Sequence, residues 1–148
     1  MKKLIIAAIA IVAFTTTSFA GDGSKKASYW VLNQFNHTYA DATNVTWQVT
    51  DQFAKATFLL DDIRVEAYYN QFDGAFIGQS KAVTTQDLPR NVSKELSKKY
   101  SGYAIKEVIE FSNATDVDFY VSLENTTSKM VLKISRSGDI SIFKSVQK

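Results

Sequence analysis

The stretch DLPRNVSKELSKKYSGY, Asp87 to Tyr103, contains the chain's one proline and differs in period from the sequence on either side of it. Leu88, Val92, Leu96 and Tyr100 recur every fourth residue, which lines them up on one face of a helix. Pro89 suits a first helical turn, where its missing N–H would have had no partner. Asp87 suits the same end, both as a cap and as an anion near the positive end of the helix dipole. Lys98 and Lys99 favour the last turn, and Gly102 is a natural stop. The spacing therefore predicts one short helix in the middle of a chain that otherwise alternates.

On the N-terminal side, Ala27, Val31 and Phe35 are also spaced by four, with Trp30 and Leu32 beside them. They predict a first helix, capped by Ser24 and ending near Tyr39. The period then changes to two. Val45, Trp47 and Val49 alternate with polar residues, as do Ala54, Ala56, Phe58 and Leu60, and then Val65, Ala67 and Tyr69. Asp51-Gln52 and Asp61-Asp62 read as turns. Phe72-Asp73-Gly74 supplies a glycine for a positive-φ turn, and Ala75 to Val83 returns as a fourth strand. Beyond the central helix the strand period resumes, with Ile105 and Ile109, then Phe119, Val121 and Leu123, then Met130, Leu132 and Ile134, then Ile140 and Ile142 as inward residues. Asn125 to Ser128 and Ser137-Gly138-Asp139 read as turns. The turn at Gly138 follows the turn at Gly74 by 138 − 74 = 64 residues. The expected architecture is α+β: a tandem repeat of one helix plus four antiparallel strands, residues 24–84 and 85–148, with the helices packed on one face of a shared antiparallel sheet.

The first twenty residues read as a secretory signal peptide. Lys2 and Lys3 precede an apolar run from Leu4 to Phe14, and Ser18-Phe19-Ala20 puts small residues at the −3 and −1 positions of a cleavage site. A retained anchor helix is the alternative; polar Thr15, Thr16, Thr17 and Ser18 end the apolar run too early for it. Cleavage would leave 128 residues, 21–148, enough for one domain with its own core. The 17 basic and 15 acidic residues would become 15 and 15 once Lys2 and Lys3 are gone. A neutral chain without basic runs gives no support to nucleic-acid binding. The expected location is periplasmic or secreted, without a membrane span after cleavage. With no cysteine, the fold rests on its core rather than on disulfides. Five Asn-x-Ser/Thr sequons, at Asn36, Asn44, Asn91, Asn113 and Asn125, read as unmodified because the signal looks bacterial.

Catalytic chemistry finds few residues. His37 is the one histidine, and without cysteine it makes a poor metal set; a solvated helix-end histidine is the simpler reading. Asp61 and Asp62 do not converge as an acid–base pair, because neighbours in a turn both face water. Asp116 and Asp118 lie on one strand edge but are too few for a hard cation. No nucleophile elbow, Walker loop or dinucleotide fingerprint occurs. The expectation is a non-enzyme without a cofactor or metal.

The aromatics are more informative. Trp47, Phe58, Tyr69, Phe76 and Phe119 fall on the inward phase and read as core. On the outward phase come Phe53, Lys55, Arg64, Glu66, Tyr68, Ile77, Val108, Tyr120, Lys133 and Phe143. Aromatic and branched residues interleaved with charges have the character of a binding surface, with Tyr68 and Tyr120 as its first anchors. Cross-strand packing that only stabilises the sheet is the alternative.

Taken together, NVTW (44–47), FAKATF (53–58), EAYYNQFDGAFIG (66–78), LPRNVSKELSKKYSGYAIKEVIEF (88–111) and FYVSL (119–123) resemble the PepSY-like, beta-lactamase-inhibitor-like proteins exported by bacteria. The resemblance spans nearly all of residues 21–148. It implies two tandem helix-plus-sheet units whose helices pack on one face of a shared antiparallel sheet, with the other face open and somewhat concave, and most members have no established activity. The chain departs from some relatives in having no cysteine for a lipid anchor. The expected function is an exported, non-enzymatic binding module that engages a protein partner through the open sheet face, an enzyme it restrains being one such partner. The alternatives are a module for a small molecule or glycan, with Trp30 or exposed tyrosines as stacking platforms, and a structural envelope protein.

Overall fold

The computed structural model describes residues 25–148. The expected signal peptide, its cleavage site and the cap at Ser24 lie outside the described residues. The elements are α1 (Tyr29–Thr38), β1 (Thr43–Val49), β2 (Phe53–Leu60), β3 (Ile63–Asn70), β4 (Phe76–Val83), a 3-10 turn (Thr85–Asp87), α2 (Val92–Lys99), β5 (Ala104–Ser112), β6 (Val117–Glu124), β7 (Ser128–Ser135) and β8 (Ile140–Gln147).

All eight strands belong to one sheet, in the order β1-β2-β3-β4-β5-β6-β7-β8. This corrects the expected tandem of two helix-plus-four-strand repeats. Among the described residues the α-helices account for only 10 and 8 residues, and the sheet continues from β4 to β5. The expectation failed for a physical reason. A period of two identifies a strand but not its neighbour, so the central helix looked like the start of a new unit. It is instead a short insertion between strands that are adjacent in the sheet.

By contact density the described residues fall into two compact groups, 25–81 with 111–116, and 82–110 with 117–148. In the first group, Val31 and Phe35 of α1, with Tyr39 at its C-cap, pack with Val49, Ala54, Ala56, Phe58, Val65, Ala67 and Tyr69. Alanines at 54, 56 and 67 leave room for rings. Phe35 meets Phe58 and Trp47 edge-on, each at 5.1 Å between centroids. Such pairs contribute about 0.5–1.5 kcal/mol beyond their burial. The N-cap is Ser28, whose Oγ accepts from the Val31 N–H. Asp61 and Asp62 have φ of 50° and 63°, so the β2–β3 hairpin closes through a two-residue turn with both residues left-handed.

In the second group, Leu88, Val92 and Leu96 cover Val108, Phe119, Val121, Leu123, Met130, Leu132 and Ile134. The four-residue spacing correctly identified this buried face, but α2 is shorter than the spacing suggests. Asp87 serves the 3-10 turn rather than α2: Thr84 and Asp87 form a capping box there. Pro89 lies before α2, and its carbonyl accepts from the Val92 N–H at 2.9 Å. Gly102 is not in the left-handed region, and α2 ends at Lys99 with Tyr100 as its C-cap.

Candidate functional site

Strand alternation sends one set of side chains into the two cores and the other set to the opposite face of the strands. In the first group the register places Lys55 across from Tyr68, and Tyr68 across from Gly78. Glu66 lies at the centre of a polar network. One carboxylate oxygen accepts from the Tyr68 hydroxyl at 2.8 Å and faces the Lys55 ammonium at 3.6 Å; the other faces Arg64 at 3.3 Å. The Lys55 and Glu66 side chains are each 15% exposed and that of Arg64 69%, so the network runs from a sheltered carboxylate to an exposed guanidinium.

Tyr68 is only 4% exposed. Its ring packs against Phe111, with centroids 6.4 Å apart. Gly78 makes that packing possible, because a Cβ there would lie 2.4 Å from Phe111 Cζ. Burial, and then the neighbouring Glu66 charge, pushes the Tyr68 hydroxyl well above its ordinary pKa, so it remains a neutral donor. Ile77 is the extra residue where the register shifts, between Tyr68 opposite Gly78 and Tyr69 opposite Phe76. Phe53 is half-buried across from Asn70.

The second group carries a similar local arrangement. A carboxylate, Asp118, again stands two residues before a tyrosine, Tyr120, and pairs with a lysine from the next strand. The Lys133–Asp118 separation is 2.8 Å, and Lys133 lies opposite Tyr120. Phe143 is the extra residue where β8 shifts register against β7, and its ring meets that of Tyr120 edge-on at 5.2 Å. Tyr120 is 2% exposed, and its hydroxyl is buried without a hydrogen-bond partner. Burial, and then the Asp118 charge, raises its pKa.

Three expectations need correction. Tyr68 and Tyr120 occupy the outward phase, but both are buried, so neither is an accessible anchor. Central positions, flanked by Phe111 and Phe143, enclose them. Val108 belongs to the core of the second group. The run AIKEVIEF has apolar residues in both phases of β5, so periodicity could not place it. Of the remaining candidates, Arg64 is exposed, and Phe53, Lys55, Glu66, Ile77, Lys133 and Phe143 are half-buried. Sequence reasoning missed Phe111 and Gly78 as a packing pair, and it weighed Asp118 only as a cation ligand. The charge alternation of Asp118 and Lys133 on paired strands was the available signal.

Elsewhere on the first group, Tyr29, Trp30 and Phe72 are 73%, 60% and 75% exposed. Gln71 ties the chain before α1 to the β3–β4 turn, accepting from the Ser28 N–H and donating to the Lys26 carbonyl. The backbone of Trp30 lies against Gly74. His37 is exposed in the last turn of α1. Among the described residues no cluster of three or more His, Asp or Glu side chains is placed to hold a metal, and no helix is long and apolar enough to cross a membrane.

No family model and no curated protein matches the chain. Its fold does match solved structures. A DUF2874 family protein from Bacteroides uniformis superposes with a TM-score of 0.72 at 16% identity, covering 82% of this chain and 90% of that one. A protein from Bacteroides eggerthii, described only as a candidate periplasmic protein, gives 0.72 at 12% identity, covering 83% and 90%. A BLIP-like protein from Bacteroides fragilis gives 0.69 at 17% identity, covering 85% and 89%. None of these three is described as an enzyme or as PepSY-like. The shared feature at these identities is the fold.

Proposed function

We propose that the protein is an exported, non-enzymatic binding module that holds a protein partner on the face of the strands opposite its cores. One observation carries this reading. In each compact group a lysine–carboxylate pair is fixed against a buried tyrosine on that face: Lys55–Glu66 against Tyr68, and Lys133–Asp118 against Tyr120. Side chains already held in place lose little entropy when a partner arrives, and opposed charges set its register. The buried tyrosines support this surface from beneath. Each group offers its own contacts, taken by itself: Arg64, Lys55, Phe53 and Ile77 on the first, and Lys133 and Phe143 on the second. Likeness in fold to a protein described as periplasmic and to one described as BLIP-like is consistent with export and with protein binding.

Affinity capture from the envelope fraction of the native host, with Arg64→Glu and Lys133→Glu variants alongside, tests the reading. Wild-type protein should retain one partner at a fixed ratio, and each reversal should weaken retention while the circular dichroism spectrum stays that of the folded protein. A partner kept equally by both variants, or none kept by the wild type, would overturn it.

A further inference from the structure

The second compact group contains a cavity of about 420 Å³ between α2, the turn that follows it, and the adjacent ends of β5 and β6. That volume falls in the range of about 300–1,000 Å³ typical of small-ligand pockets. Leu96 and Leu123, 5% and 2% exposed, form its apolar wall. Tyr100 and Tyr103 stand beside them with ring centroids 6.3 Å apart and planes at 74°. The rest of the lining is rich in hydroxyls: Ser93 and Ser97 from one face of α2, then Ser101 and Thr85. No charged side chain among the described residues lines it.

We infer that this cavity binds a neutral saccharide of about two rings. The hydroxyl geometry selects the chemistry. Ser97 donates its proton to the Ser93 carbonyl at 2.9 Å, and Ser93 donates to the Thr85 carbonyl at 3.5 Å. The Ser97 proton is committed to the backbone, so its oxygen offers lone pairs to the cavity and favours a ligand that brings donors. An anion would face those lone pairs with no cation in the lining to offset them. A pyranose brings several O–H donors together with a C–H face, whose positive edge is drawn to the negative face of a tyrosine ring. Tyr103 is held for that contact. Ser128 gives its proton to Asn125 at 3.1 Å, so the 2.9 Å contact between Tyr103 and Ser128 has Tyr103 as donor, which fixes the ring. The Tyr103 N–H also closes onto the Tyr100 carbonyl at 2.9 Å, setting the spacing of the two rings.

This site is separate from the protein-binding face and stands or falls independently of it. The test is an amide chemical-shift titration of the ¹⁵N-labelled protein with cellobiose, maltose and N,N′-diacetylchitobiose, and with glucose 6-phosphate as the charged counterpart. At least one neutral disaccharide should shift amides clustered in residues 93–103 and at Leu123, and glucose 6-phosphate should leave them in place. Ser97→Trp, at an exposed helical position, should fill the cavity and abolish the shifts without changing the melting point. Tyr100→Ala should weaken binding by about tenfold, the size of one lost aromatic contact. Absence of clustered shifts with all three disaccharides would overturn the assignment. So would an equal response to glucose 6-phosphate, or unchanged binding by both variants.

Discussion

At the scale of single residues, two positions on the same strand were read alike in the sequence and behave differently in the structure. Tyr68 and Glu66 both point away from the core, yet one is enclosed and the other anchors a charge network. Gly78 decides the difference. Without a side chain it leaves the hollow that Phe111 fills over Tyr68. A methyl group there meets Phe111 Cζ at 2.4 Å and the Ser112 carbonyl oxygen at 2.9 Å, and Phe111 is only 2% exposed. Gly78→Ala should therefore destabilise the protein by about 1–3 kcal/mol, the usual cost of overpacking, and an urea melt would measure it. Leu96 supplies a second case. It is 5% exposed in the core of the second group, so Leu96→Ala should cost about 2–5 kcal/mol. Lys98→Ala, two residues on and exposed on the opposite side of the helix, should leave the melting midpoint nearly unchanged. Equal effects would show that the buried face of α2 is misassigned.

At the scale of elements, the period of apolar residues located the strands and α1 because burial on one face leaves a regular signature. It failed where the signature is double, as in β5, and where a turn bonds locally. Residues 84–91 form a 3-10 turn and a connection, because Thr84 and Asp87 satisfy each other's backbone and side-chain groups before α2 begins. The β7–β8 turn is another locally bonded element. The hydroxyls of Ser137, first, and Ser135 donate to the Asp139 carboxylate and hold its pKa below the ordinary 3.8. The sign follows from the depression: the stabilisation is fully present above the unfolded pKa and is lost as pH falls through the lower folded value. Ser137→Ala should move the Asp139 titration back toward the ordinary value in an NMR pH series. It should lower stability at neutral pH and leave it unchanged in acid below both values. No movement of the titration would remove Ser137 as its cause.

At the scale of the whole molecule, strand content was legible in the sequence, whereas the sheet's continuity was not. Pairing depends on which backbone edges meet, and side-chain period does not record that. The two compact groups nonetheless have separate apolar clusters, one centred on Phe35 and Phe58 and the other on Val121 and Leu132. Truncation of one cluster should act first on its own group. Phe58→Ala should speed amide exchange in β1 to β3 more than in β6 to β8, and Leu132→Ala should do the reverse. Uniform acceleration by either variant would show that the clusters open together.

The strand order has a kinetic consequence. Each strand neighbours the one just before it in the chain, so most pairings close over loops of a few residues, and short loops are the quickest to form. Hairpins of this kind zip in about 1–10 μs. The exception is the step from β4 to β5, where residues 84–103 must first be laid down. Folding of this chain should then proceed as a relay with one long stride, and the segment Asp87 to Tyr103 sets its pace. A chain delivered end-first would have each strand's partner at hand almost as soon as the strand itself arrived, and with no cysteine it has no oxidation step to await.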